Sequence, residues 1–379
     1  MTALFSGALA LVVYTFVGYP AIVAAWARFR PTPVRLDPAF RPPVSLIIAA
    51  YNEEGEILPR LENAQAMDYP AGRLEVIVVA DGSDDRTAEL ASTVPGVRVL
   101  HEPERLGKLP AITRAAAAAT GAVLVFSDAN NRYTPETIRE LVAPFADPSV
   151  GVVTGRKAID DSGGRALDRA EGLYWRYESK IKTWESAIGS TVGAAGEVVA
   201  FRREAFRPPP VGTMNEDLVQ AVGAAADGWR VVYAPRALSL ERASLTVDDE
   251  VIRRSRLVAG RFQALVALMP TLVRRNPRLA WQLVSHKGLR PLVPWALLAI
   301  IVLNVPLARR HRWAVLTLVS QAAFYGAAVA GWARERAGQR SRILYLPYYF
   351  CRMNLAAIRG VRDFIHGRHE HIWDRVKRG

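Results

Sequence analysis

Cysteine is almost missing from this chain: Cys351 is the only one in 379 residues. No intramolecular disulfide can form, which fits a reducing compartment for the globular part. Nothing has the ligand spacing of a zinc finger or the aromatic pattern of an RNA-binding strand, so nucleic acid is not an expected partner despite the net charge of +13. His366, His369 and His371 form the one histidine cluster, in a spacing that reads as a solvated polar end. Internal repeats and low-complexity tracts are absent. Charge itself is absent from Thr2 to Ala27. That run is long enough to cross the ~30 Å hydrocarbon layer of a bilayer as a helix. It lacks the basic start and polar cleavage region of a signal peptide, and it reads as a retained anchor.

Basic residues flank the apolar runs: Arg28, Arg30 and Arg35 after the first, and Arg334, Arg336, Arg340 and Arg342 after a later one. Such clusters follow the positive-inside tendency and attract anionic lipid. The chain divides accordingly. Residues 1–30 are the anchor, and 31–43, with five prolines, a stiff linker. A globular domain runs over 44–247. Residues 248–288 are basic and amphipathic, the pattern of helices lying in the membrane interface. The remainder, 289–379, holds two further spans, at Leu289–Leu307 and Trp313–Trp332, then Ile343–Ile365 as a third crossing or an interfacial helix. The basic end Arg375–Arg378 favours an inside tail. The loop Arg309–Arg312 would then face outside, against the same tendency.

Within the globular part, Ala122-Val-Leu-Val-Phe-Ser-Asp-Ala-Asn130 organises the rest. Its apolar run reads as a strand buried on both faces, as in a parallel sheet. Val44–Ala50, Leu74–Ala80 and Val97–Leu100 are three more strands. Helical stretches alternate with them, which argues an α/β fold with a doubly wound, mostly parallel sheet. Asn52 with its following acids suits a helix start, although Pro59 should kink or delay that helix. Open sheets bind ligands outside the carboxyl ends of their strands. Acids fall at such places: Asp81 after the second strand, Asp128 with Asn130 after the fourth, and Glu216-Asp217 at a later helix start. Several strand-end acids in a basic protein suggest a site for a divalent cation and a polyphosphate, since Mg²⁺ shares oxygen ligands with substrate phosphates. Tyr174, Trp175, Tyr177 and Trp184 share one helix, for acceptor stacking or for packing.

Taken together, Ala50-Tyr-Asn-Glu-Glu54, Asp68-Tyr-Pro70, Leu74-Glu-Val-Ile-Val-Val79, Asp81-Gly-Ser-Asp-Asp-Arg-Thr87 and Asp128-Ala-Asn130 resemble the membrane-bound family 2 glycosyltransferases, in order and in spacing from Val44 to about Gly260. The resemblance implies a GT-A fold on the cytoplasmic side of the membrane. It also implies inverting transfer from a nucleotide-diphosphate sugar with Mg²⁺ or Mn²⁺. Carried over, Tyr51, Glu53 and Asp81 would hold the nucleoside, Lys108 the phosphates, and Asp128 the metal, with Asn130 in place of the family's second acid. Asp217 of Asn215-Glu-Asp217 would be the general base, with Glu216 beside it. The family's Q-x-x-R-W aligns with Arg253-Arg-Ser-Arg-Leu257, in which Arg253 and Arg256 remain to cover the diphosphate. The acceptor implied is lipid-linked or a growing saccharide. A single transfer onto a polyprenyl phosphate or diacylglycerol is the alternative, and an inactive scaffold working with other polysaccharide-export components is a third reading.

Overall fold

The computed structural model describes residues 1–160, 166–242, 244, 246–339 and 341–367. Arg340, His369, His371 and Arg375–Arg378 lie outside the described residues. Eight strands form one sheet: β1 (Val44–Ala50), β2 (Leu74–Asp81), β3 (Val97–Glu102), β4 (Val123–Asp128), β5 (Asn131–Tyr133), β6 (Val150–Ile159), β7 (Val199–Arg202) and β8 (Arg230–Glu241). Their spatial order is β3-β2-β1-β4-β7-β6-β8-β5. Pairing is parallel from β3 to β4, as the alternating pattern predicts. Beyond that the sheet is mixed, because β7 runs antiparallel to both neighbours and β5 antiparallel to β8. The reason lies in residues 188–198, which lead the chain back along the sheet after the helix Ala166–Ala187. There the Thr191 N–H donates to the Val231 carbonyl, the Ala195 N–H to Thr154 Oγ1, and Val198 accepts from the Gly155 N–H. β7 therefore enters from the end at which β4 finishes.

Alternate residues of the central strands face two apolar cores, as strand geometry requires. Ile47, Ile77, Val79, Leu124 and Phe126 pack under the helices Lys108–Ala118 and Glu216–Ala226. Leu46, Ile48, Val76, Val78, Val123 and Val125 pack on the other face against the helices Ile57–Gln65 and Thr137–Val142. The first of those helices starts five residues later than Asn52. Asn52 is left-handed (φ 52) and its side chain donates to Asp84 Oδ1 at 2.6 Å, so it closes a loop between the ends of β1 and β2. Pro59 then falls in the first helical turn, where a missing N–H costs nothing.

The helices Thr2–Phe29, Val247–Arg275, Pro277–Ala308 and Arg312–Arg336 are long and apolar enough to cross a membrane. The proline-rich segment 31–43 is not a free spacer: the Thr32 N–H donates to the Ala187 carbonyl, and Arg230 donates to the carbonyls of Thr32 and Pro33. A buried polar cluster ties the apolar helices to the sheet domain. Glu185 accepts from Tyr19 at 2.5 Å, lies 2.7 Å from His286 Nδ1 and accepts from Thr191; Glu178 pairs with Lys287 at 3.0 Å and with Arg290. Every carboxylate oxygen taken out of water here meets a donor, the condition for burying charge.

One buried cation links this core to the strand ends. The Arg60 side chain is fully buried, donates to Ser127 Oγ at 2.9 Å and to Asn63 Oδ1, and lies 4.7 Å from the Tyr133 ring. Ser127 immediately precedes Asp128, so Arg60 fixes the angle at which β4 delivers that acid. Arg60→Ala should cost about 2–4 kcal/mol, because it opens a cavity and strands buried oxygens. Denaturant unfolding of the detergent-solubilised protein measures this, and a loss within error would remove Arg60 from that role.

Candidate active site

The carboxyl ends of β1, β2, β4 and β8 open into one cavity of about 270 Å³. All ten residues singled out in the sequence line it: Tyr51, Glu53, Asp81, Lys108, Asp128, Asn130, Glu216, Asp217, Arg253 and Arg256. They arrive from six separate segments.

Asp81 ends β2 buried, and both its oxygens are already engaged, accepting from the backbone N–H of Leu106 at 3.2 Å and of Gly107 at 2.7 Å. In this state its work is to hold the loop that starts the Lys108 helix. That loop comes close enough to Gly82 (φ +68) for a Cβ there to lie 2.5 Å from Arg105 Cβ, so only glycine fits. Arg105 in turn covers the Tyr51 ring, 3.7 Å from its centre. A base stacked on that face of Tyr51 would have to displace the guanidinium.

Lys108, the first residue of its helix, reaches across to Asp128 Oδ1 at 2.6 Å and to Glu216 Oε1 at 3.8 Å. Burial opposes its charge, but Asp128 and Glu216 outweigh that and raise its pKa above the ordinary lysine value. Asn130 turns its Oδ1 to a buried position with no hydrogen-bond partner, two residues beyond Asp128. Among the described residues no three acidic, histidine or cysteine side chains converge as a metal cage.

Asp217 lies in the first turn of Glu216–Ala226, accepting from the Gly196 N–H at 3.0 Å and the Leu218 N–H at 2.8 Å. Burial, with Glu216 next to it, pushes its pKa up to about 6; Lys108 works in the opposite direction. This is the range in which a carboxylate both exists at neutral pH and accepts a proton. The helix Val247–Arg275 roofs the cavity and approaches closely at Gly260, where a Cβ would meet Asn215 Cβ at 2.8 Å. From that helix Arg253 reaches the cavity but is engaged by Glu250 at 2.8 Å and Glu171 at 3.6 Å. Arg256 lines it one turn on, with Leu257.

Sequence reasoning missed four polar members: Arg105, Lys157, Glu197 and Glu241. Lys157 pairs with Glu197 at 3.1 Å and with Glu241, forming a second ammonium–carboxylate set across the cavity. Glu241 obeys the same strand-end rule as Asp81 and Asp128. The apolar run Val231–Ala234 is interrupted by Pro235 and Arg236, which conceals that the strand goes on to Glu241. Trp175 is flanked by Lys157 and Lys182, with Lys157 Nζ 5.2 Å from the ring centre.

Residues 45–207 match the model for glycosyl transferase family 2. That stretch carries a glycosyltransferase domain of GT-A fold. It is 26% identical over 286 residues to an N-acetylglucosaminyltransferase of Rhizobium meliloti, a match covering 70% of this chain and 65% of that protein. It is 28% identical over 184 residues to a β-monoglucosyldiacylglycerol synthase of Synechocystis, covering 47% of this chain and 38% of that one. Among solved structures, a mannosyltransferase from Pyrobaculum calidifontis in complex with GDP-Man and Mn²⁺ superposes with a TM-score of 0.71 at 25% identity, over 96% of this chain and 99% of that chain.

The Lys108 ammonium occupies the gap between Asp128 and Glu216 that a cation would enter. Lys108→Met should leave those acids without their counter-charge, so that millimolar Mn²⁺ stabilises the variant more than the parent. A site filled at ~100 times its Kd adds about 2.7 kcal/mol. The check is Tm against Mn²⁺ concentration; equal shifts in the two proteins would show that cation and ammonium do not compete.

Proposed function

We propose that the chain transfers a sugar, with inversion, from a nucleotide-diphosphate sugar to a hydroxyl of a lipid-linked or growing saccharide acceptor at the cytoplasmic face of a membrane. The observation that carries this reading is Asp217, a half-buried carboxyl raised to about 6 in the same cavity as Lys108 and Asp128. In one displacement the acceptor oxygen attacks the anomeric carbon, its proton passes to Asp217, and the sugar–phosphate bond breaks with its electrons leaving on the nucleoside diphosphate. Tyr51 and Glu53 border the part of the cavity nearest β1 and β2, where the nucleoside belongs. Lys108 and Arg256 border the path of the diphosphate, for which guanidinium and ammonium groups are suited. Glu216 keeps Lys108 beside Asp128.

Mg²⁺ or Mn²⁺ fits the residues present. Asp128 offers a carboxylate and Asn130 a buried amide oxygen with no other partner, a hard-oxygen pair that relies on the donor's phosphates to complete the set. Bound there, the ion supplies neutralisation of charge on the leaving diphosphate. The Mn²⁺ in the similar mannosyltransferase supports the assignment. A single transfer onto a membrane lipid is the second reading, favoured by the likeness to glucosyldiacylglycerol synthases and by Leu257 where an aromatic would hold a polymer. Asp81, Asp128 and Asp217, intact and assembled in one cavity, speak against an inactive scaffold.

The test is release of free nucleoside diphosphate from a panel of nucleotide sugars by the purified protein in lipid, with product length deciding between repeated and single transfer. Asp217→Asn should keep donor binding and lose turnover by ~10²–10⁴-fold, the usual worth of a general base. Below its pKa Asp217 is protonated and cannot accept a second proton. The parent's turnover should therefore be level above pH 7 and fall through about pH 6. Undiminished turnover at pH 5, or in the Asn variant, would reject Asp217 as the base.

A further inference from the structure

A second, larger cavity of about 700 Å³ lies on the other side of the helix Val247–Arg275. Its walls are contributed by the apolar helices: Phe16 from the first, Val293 and Phe324 from the two that follow residue 277, and Leu346, Phe350 and Met353 from Arg342–Ile365. Such walls exclude a free polar solute and suit a hydrocarbon chain. Among the described residues, the only charged ones lining it are Arg254, Arg261 and Arg290, with no acid among them. Arg290 is the decisive one. Its side chain is 9% exposed, and while Nη1 pairs with Glu178, Nε and Nη2 are buried without a hydrogen-bond partner. Unpaired guanidinium N–H groups in an apolar wall are costly unless an anion completes them. Arg254 is held by Glu250 at 2.5 Å and lies over the Tyr174 ring, 4.3 Å from its centre. Although burial pushes the Tyr174 phenol the other way, as does Glu178, the arginines 254, 290 and 261 bring its pKa below the ordinary tyrosine value. The polar end of this cavity is electropositive.

Leu257 lines both cavities. Around it, Arg253 and Arg256 face the donor cavity while Arg254, Val258 and Arg261 face the apolar one. The two chambers are thus neighbours across a single helix turn.

We infer that the apolar cavity is the seat of a phosphate-bearing lipid acceptor, its chain among the apolar helices, its phosphate on Arg254, Arg261 and Arg290, and its head-group hydroxyl directed past Leu257 toward Asp217. This rests on the proposed transfer reaction and names its acceptor class. The chemistry is unchanged: the head-group oxygen bonds to the anomeric carbon, its proton goes to Asp217, and the nucleoside diphosphate leaves with the bonding electrons. The phosphate of the acceptor takes no part beyond anchorage.

The probes are polyprenyl phosphate and phosphatidic acid, each against its uncharged twin, polyprenol and diacylglycerol, with retention on the detergent-purified chain read by native mass spectrometry. The phosphate lipids should be retained about tenfold better or more, the worth of one or two charged hydrogen bonds. Arg261→Ala should abolish most of the difference and Arg261→Lys restore part of it. Arg261 is the variant of choice because it makes no ion pair that folding depends on, whereas Arg254 and Arg290 hold buried acids. Equal retention of charged and uncharged lipids, or an Arg261→Ala protein that still discriminates, would overturn the assignment. So would sugar transfer to a water-soluble saccharide alone, an outcome that leaves the transfer reaction standing. Selective lipid retention without nucleotide release from any sugar donor would instead sink the transfer reaction and, with it, the acceptor role of the lipid.

Discussion

Negative charge crowded into a small space is the constraint on which this site is built. Asp81, Asp128, Glu197, Glu216, Asp217 and Glu241 line one cavity, and like charges so close cannot all persist without compensation. The fold supplies it at three places. Backbone N–H groups neutralise Asp81, the Lys108 ammonium serves Asp128 and Glu216, and the Lys157 ammonium serves Glu197 and Glu241. Asp217 receives only two backbone N–H bonds and a share of the Lys108 field, and so its proton affinity rises. Its basicity is what remains after the other acids have been satisfied.

That arrangement explains why so much of it could be read from the chain. The strands β1 to β4 announce themselves as short apolar runs ending in acid or amide, and a parallel sheet puts all such ends on one side. Asp81, Asp128 and Asn130 follow from that rule alone. Lys108 and Arg256 needed the family's motifs, since nothing in local spacing tells a phosphate-binding cation from a surface one. In the mixed half the apolar runs of β6, β7 and the first part of β8 are legible as strands, but their order and direction are not. β5 has only three residues, too short for a period to show, and β8 continues through Pro235 and Arg236 where an edge-like composition hides it. Asp81's engagement by the 106–107 backbone and Arg105's place on Tyr51 depend on loops that meet only in three dimensions.

The helix Val247–Arg275 is the hinge of the functional argument because it belongs to both halves of the molecule. Its opening residues carry an N-terminal cap, Thr246 accepting from the Asp249 N–H, and Glu250 pairs with Arg253 and Arg254 on the next turn. Those pairs set the two arginines on opposite sides, one toward each cavity. A basic, amphipathic stretch is the sequence signature of a membrane-surface helix. Here the same basic residues line the boundary between a polar chamber and an apolar one, and the amphipathic pattern serves the partition between them.

The polar cluster under the catalytic domain joins parts of the chain made far apart in time. Tyr14 bonds Ser285 across 271 residues, Trp281 Nε1 donates to Tyr14, and Tyr19 reaches Glu185. During synthesis the first helix therefore emerges long before its hydrogen-bonding partners exist, and Tyr14 must wait unpaired until the segment after residue 277 is delivered. Glu178 waits as well, its partners Lys287 and Arg290 still unmade, beneath an otherwise finished sheet. The sheet domain can take shape early from its local strand–helix units, whereas its seating on the apolar helices is one of the last events in the life of the nascent chain. An error in that late step would yield a protein with all its catalytic residues in place and no floor beneath them.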